Sequence, residues 1–129
     1  MGARAEHEWA GDIVRAVDAL LDYMRVSRTP TTADIPRALV VDALAYRLMA
    51  IGEAAKNLPA STREAHPAVP WSNVIGMRDF LAHHYHRRDD QVVVATVESG
   101  FLVPLRKAAQ AVVDDARRDH GGDSRIPSR

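Results

Sequence analysis

Apolar residues recur along most of the chain at intervals of three and four, the spacing that places side chains on one face of an α-helix. The series Trp9, Ile13, Ala16, Leu20 and Met24 predicts a one-faced helix over 8–26, with Asp12, Arg15, Asp18 and Asp22 off the stripe. Ser27 to Thr32 carries Pro30 and turn-forming residues and reads as a loop. A second helix is predicted over 34–58, capped from Thr32 to Asp34, with Pro36 tolerated in its first turn. Within it Val41, Leu44, Leu48, Ile51, Ala55 and Leu58 alternate by three and four, while Val40, Ala43, Ala50 and Ala54 widen the apolar face. A helix this broadly apolar belongs in the middle of a bundle. Gly52 inside it costs about 1 kcal/mol relative to alanine, so another helix backbone is expected to come close there.

Asn57 to Thr62 breaks the pattern, and Ser61 with Glu64 has the spacing of a capping box for a short helix over 61–66. The prolines of His66 to Pro70 stop it. A helix over 71–85 follows, capped by Ser72 or entered by Trp71 directly behind Pro70, with Val74, Met77, Leu81 and His84 on its stripe. Ile75, Phe80 and Ala82 are expected to touch the core from its sides. Asp89 or Asp90 can cap a further helix over 90–118. The run Val92 to Val97 invites a strand, but Val94, Val97, Phe101, Leu105, Ala108, Val112 and Ala116 keep helical spacing. Gly100 and Pro104 should bend or interrupt that helix. The pattern predicts an all-α fold, an up-and-down bundle of four main helices plus a short one. It forms one domain over 1–119, followed by a polar, flexible tail over 120–129.

Composition narrows the function classes. A chain of 129 residues can close a single core without staples, and the absence of cysteine removes disulfides and thiolate metal ligands. Seventeen basic and 17 acidic residues balance, so no bulk charge marks a dedicated nucleic-acid binder and any RNA contact must be local. Aromatic residues make up 5%, little material for base-stacking platforms. The charged start and the lack of any apolar run of about 18 residues lead to the expectation of a soluble, unexported, cytoplasmic protein that does not contact membranes.

The segment Met77 to Arg88 gathers three of the six histidines, Arg78, Arg87, Arg88 and Tyr85. Arginine grips a planar oxyanion with two prongs, histidine moves protons near neutral pH, and tyrosine supplies a phenol. Such groups suit phosphodiester chemistry. On an uninterrupted helix Arg78 and Tyr85 are nearly aligned, whereas His83 lies about 140° round from Arg78. The three converge if the helix ends near His83, as His84 to Asp90 suggests, or if two copies of the segment meet across a dimer axis. The residues alone favour the other arrangement, in which Arg78 bridges to Asp79, Asp89 or Asp90, the histidines form a solvated helix end and Tyr85 packs half-buried. Glu53 reads as a partly exposed partner of a neighbouring arginine; Glu53 and Asp79 are also candidates for supporting the site. Adjacent helical residues point about 100° apart, so His83, His84 and His86 are not expected to hold a metal, and no cofactor is predicted.

Arg78, four residues, His83, one residue and Tyr85 resemble the signature of the HEPN superfamily, and more narrowly that of HepT-like ribonuclease toxins. Ile51-Gly52-Glu53-Ala54-Ala55 is similar to that family's central-helix motif, and Pro70-Trp71 with Ile75-Gly76-Met77-Arg78 to its lead-in. With the helical frame the resemblance covers roughly 8–118. It implies the toxin of a type VII-like toxin-antitoxin pair: a homodimer whose copies bring Arg78 and His83 into a shared cleft and cut RNA without metal. It further implies a nucleotidyltransferase antitoxin that silences the toxin by placing AMP on Tyr85. The other reading is a non-catalytic helical module that docks a nucleotidyltransferase or grips a nucleotide through Arg78 and His83; net neutrality and few aromatics favour it.

Overall fold

A computed structural model describes residues 4–28, 35–86 and 90–125, with the backbone alone for 84–86 and 120–125. Among these residues there are six helices and no strand: α1 (Glu6–Ser27), α2 (Arg37–Lys56), α3 (Ala60–Glu64), α4 (Trp71–His86), α5 (Asp90–Glu98) and α6 (Leu102–Arg125). The all-α expectation holds, and the valine-rich stretch at 92–97 is helical. Its branched side chains pack here because the helical period turns Val93 and Val97 into the core.

The central place of α2 follows from its sequence. Val41, Leu44, Leu48, Ile51 and Ala55 are all buried, as is Leu58 just past its end, and α2 packs against α1, α4 and α5. Along α1 the stripe residues Ile13, Ala16 and Leu20 are buried, with Trp9 and Met24 packed at its ends. α6 lies along α1, contributing Leu102, Leu105, Ala108, Ala109 and Val112. A two-pronged ion pair ties these two helices at the surface, Arg106 Nε and Nη2 donating to Asp18 Oδ1 and Oδ2 at 2.8 and 3.1 Å.

Several boundaries differ from the periodic reading. The single helix expected over 90–118 is two, α5 and α6, so the bundle has five main helices and a short one. The break falls at Gly100, whose φ of 90° lies in the left-handed region that other residues avoid. Pro104 does not interrupt anything. It is the third residue of α6, in the first turn, where backbone N–H groups have no intrahelical partner to lose. The backbone of α6 continues to Arg125, well into the segment expected as tail; 126–129 lie outside the described residues. α3 starts at Ala60 behind Pro59 with no side-chain cap, so Ser61 and Glu64 do not form the expected capping box. α2 begins at Arg37 behind Pro36, and the caps considered at Thr32 to Asp34 lie outside the described residues.

Candidate functional site

The start of α4 is fixed by aromatic anchoring. Trp71 is its first residue, and the Trp71 indole N–H donates to the His66 carbonyl at 2.9 Å while the ring packs against the core. Val69 is buried just before it. Thus the Pro70-Trp71 lead-in locks the loop onto the bundle and sets the position from which α4 is launched. Val74, Met77 and Leu81 then hold the helix down by its buried face. Ile75 packs beside them, whereas Phe80 and Ala82, expected at the edge of the core, are exposed.

Gly52 determines how close α4 comes to α2. A Cβ built at Gly52 would lie 3.1 Å from Arg78 N, 3.2 Å from Val74 O and 3.3 Å from Arg78 Cβ. A side chain here would press on the α4 backbone and force it to give by a few tenths of an ångström, so the glycine accommodates the close approach that its place in an apolar helix implied. The next residue, Glu53, consequently meets Arg78: Arg78 Nη1 donates to Glu53 Oε1 at 3.1 Å, with the side chains 53% and 42% exposed. Glu53 also accepts from Asn57 Nδ2 at 3.3 Å. Both charges keep much of their hydration, so the pair orients the guanidinium more than it stabilises the fold. Arg78 bridges to Glu53 and not to the aspartates considered from sequence; Asp79 is exposed, and Asp89 lies outside the described residues.

His83 is exposed, one and a half turns beyond Arg78 on the same helix. α4 runs without interruption through His86. A helix ending near His83, one of the two routes by which Arg78 and His83 could have converged, is therefore overturned. Within one copy the two side chains project about 140° apart and about 7.5 Å along the axis. The side chains of His84, Tyr85 and His86 are outside the described residues; the backbone places Tyr85 two turns beyond Arg78 on nearly the same line. A cleft of about 520 Å³ runs along another side of α4, lined by Ser72, Gly76, Phe80, Thr96 and Phe101 among others; neither Arg78 nor His83 lines it. The candidate site is an open surface.

A cluster that the periodic reading passed over lies on α2. Arg47 is partly buried between two phenol rings, its guanidinium carbon 5.8 Å from the Tyr23 centroid and 5.5 Å from that of Tyr46. Tyr46-Arg47 in the middle of the broadly apolar α2 was the visible signal, but the partner Tyr23 comes from α1, and only packing brings it near.

The all-helical bundle, with Arg78 and His83 exposed on one core-anchored helix, is consistent with the HEPN-like architecture that the sequence motif resembles. A family model described as ribonuclease HepT-like matches residues 15–112. The chain belongs to the HepT-like ribonuclease family. Among its relatives, a candidate RNase of Caldanaerobacter subterraneus subsp. tengcongensis is 47% identical over 47 residues, covering 36% of this chain and 42% of that protein. A probable ribonuclease HepT of Thermococcus cleftensis is 29% identical over 102 residues, 74% of this chain and 84% of that one. A candidate RNase of Methanocaldococcus jannaschii is 35% identical over 69 residues, 53% of this chain and 58% of its own length. The chain thus spans less than two thirds of two of these three relatives. No solved structure matches it. No helix among the described residues is long and apolar enough to cross a membrane.

Proposed function

We propose that this protein is an endoribonuclease whose active cleft is shared by two copies, each supplying Arg78 and His83 to the other. The observation that carries the proposal is the disposition of α4: Arg78 and His83 are both exposed on one continuous helix, yet too divergent to act on one phosphate within a single copy. A two-fold axis beside α4 brings the Arg78 of one copy toward the His83 of the other. The family match spans the whole of this helix.

In such a cleft the ribose 2′-OH attacks the adjacent phosphorus. The bond to the 5′-oxygen breaks, leaving a cyclic phosphate on one product and a 5′-hydroxyl on the other. His83 takes the proton from the 2′-OH and returns one to the departing oxygen, a role worth typically about 10²–10⁴-fold. Arg78 offers its N–H groups to the phosphoryl oxygens as charge builds on them, already oriented by Glu53. The chemistry requires no metal.

The biological setting that fits is a toxin held in check by a nucleotidyltransferase antitoxin, which attaches AMP to Tyr85. An anion on this side of α4, on nearly the same line as Arg78, competes with the RNA phosphate. Incubating the purified protein with RNA tests the proposal: wild type should yield fragments with cyclic phosphate ends, and Arg78→Ala and His83→Ala should each lose at least about a hundredfold in rate. Binding of nucleotide or RNA with no cleavage by wild type would instead support the non-catalytic module.

A further inference from the structure

Among the described residues, Arg47 is an arginine with no acidic partner. Its Nη2 donates to the Tyr23 hydroxyl at 3.2 Å, its Nε is enclosed with no hydrogen-bond partner, and no carboxylate pairs with it among the described residues. Seven other arginines of the described chain are each bridged to an acidic residue. What holds this guanidinium in place is the pair of phenol rings, through cation–π attraction. An arginine so held keeps its charge and unused donors for a ligand, and its planar fork matches a phosphate.

Beside it, Tyr46 is 66% exposed, unusual for a ring of its size in the middle of the central helix. A phenol face in water next to an unneutralised guanidinium is the combination that single-stranded nucleic acid uses, a base stacking on the ring while a neighbouring phosphate meets the cation. The position fits the cleavage site as well. Glu53, which holds Arg78, is seven residues beyond Tyr46 on nearly the same line of α2, about 10 Å along its axis. Tyr46 and Arg78 therefore open on the same side of the α2 and α4 pair, at a separation that a short length of single strand bridges. A neutral chain with few aromatics must take hold of RNA at a small number of places, and this corner combines both of the required groups.

We propose that Tyr46 and Arg47 form a second contact for the RNA strand, Tyr46 stacking on a base and Arg47 holding an adjacent phosphate, a few nucleotides from the bond cut at Arg78. This rests on the reading of the protein as a ribonuclease, and the experiment separates the two. A short fluorescein-labelled single-stranded RNA of mixed sequence is titrated by anisotropy into the full chain carrying His83→Ala, which leaves the strand uncut. In that background Tyr46→Ala is expected to weaken binding about tenfold, and Tyr46→Phe to stay within about twofold. Arg47→Gln should lower the slope of log affinity against log salt by about 0.7, the signature of one lost phosphate contact, which a merely structural role would not produce. In the cutting protein, Tyr46→Ala should raise KM about tenfold with kcat unchanged.

Should Arg47→Gln fail to fold, Tyr46→Ala still decides, since its side chain is largely in water. RNA binding that is intact in the His83→Ala background and equally tight with Tyr46→Ala overturns the contact while leaving the ribonuclease reading standing. Loss of self-association by Tyr46→Ala with RNA affinity preserved also overturns it, assigning the face to a second copy. Absence of both binding and cleavage in the parent protein removes the ribonuclease reading and this contact with it.

Discussion

Arg78 Nη1 and Glu53 Oε1 lie 3.1 Å apart across the contact of α4 with α2, joining residues 25 positions apart in the sequence. The pair biases the orientation of the candidate catalytic arginine before any substrate arrives. Because both side chains are about half exposed, it contributes under about 1 kcal/mol to stability. Glu53→Ala is therefore expected to leave the urea midpoint nearly unchanged and to reduce RNA cleavage about fivefold, through less frequent productive placement of Arg78. A loss as large as that of His83→Ala would make Glu53 a proton-transfer group, and no loss at all would make the pair incidental.

Next to that pair, Gly52 makes a conflict between local and tertiary preference measurable. Alanine at this position gains about 1 kcal/mol of helix propensity. Its methyl group would press on Arg78 N at 3.1 Å and Val74 O at 3.2 Å, backbone atoms that move only if all of α4 moves. Overpacking of this kind costs about 1–3 kcal/mol. Gly52→Ala should be destabilised by about 1 kcal/mol in equilibrium urea unfolding, and should lose cleavage activity as Arg78 is pushed outward. An alanine variant more stable than wild type would show that the two helices are free to part.

These two residues also illustrate what periodicity can and cannot reveal. The stripe of α2 is legible because its apolar residues alternate strictly by three and four, and the glycine within it implies a close neighbour. Glu53 is legible as an arginine's partner, but which arginine depends on the crossing of α4 over Gly52, a tertiary fact. The division of 90–118 is hidden for a related reason: Val97, Leu105 and Ala108 keep feeding the core on both sides of Gly100, so the spacing carries through a break in the backbone. Arg47 is hidden more deeply, since nothing in its own helix announces Tyr23.

The tie between α1 and α6 predicts a pH dependence. Asp18, hydrogen-bonded by Arg106, titrates below its ordinary range of about 3.9. A carboxyl depressed in the folded state contributes stability that is present above its unfolded value and is lost as the pH falls through the folded one. Asp18 and Arg106 are each partly in water, which limits the contribution to under about 1 kcal/mol. Asp18→Asn should thus be slightly less stable than wild type at neutral pH, and the gap should close as the pH falls below about 3.9. Denaturant melts at several pH values read this directly; a gap that widens in acid would contradict it.

The shared cleft can be tested without a crystal of the complex. If each site takes Arg78 from one copy and His83 from the other, Arg78→Ala and His83→Ala homodimers are both inactive. A mixed dimer, however, contains one site with neither substitution. Unfolding and refolding the two variants together should restore about a quarter of wild-type activity, half of the dimers being mixed and each having one intact site of two. If the mixture stays as inactive as its components while sedimentation shows that subunits have exchanged, Arg78 and His83 act within one copy or not at all.

Tyr85 separates catalysis from control. The continuous backbone of α4 carries it two turns past Arg78 on nearly the same line. If Arg78 and His83 supply charge stabilisation and proton transfer as proposed, the phenol has no necessary part in cutting. Tyr85→Phe should keep RNase activity within about tenfold, about 1.4 kcal/mol of barrier, while Arg78→Ala and His83→Ala lose far more. The same variant should escape silencing by a cognate nucleotidyltransferase with ATP, because phenylalanine has the ring but lacks the oxygen that must attack the α-phosphorus and displace pyrophosphate. Wild type, treated alike, should gain mass in AMP increments and stop cleaving. Intact-protein mass spectrometry of both, followed by peptide mapping, reads the outcome. AMP found undiminished on the phenylalanine variant, or mapped to another residue of wild type, would move the control point away from Tyr85. Loss of cleavage by the variant comparable to that of His83→Ala would instead place the phenol in the reaction itself.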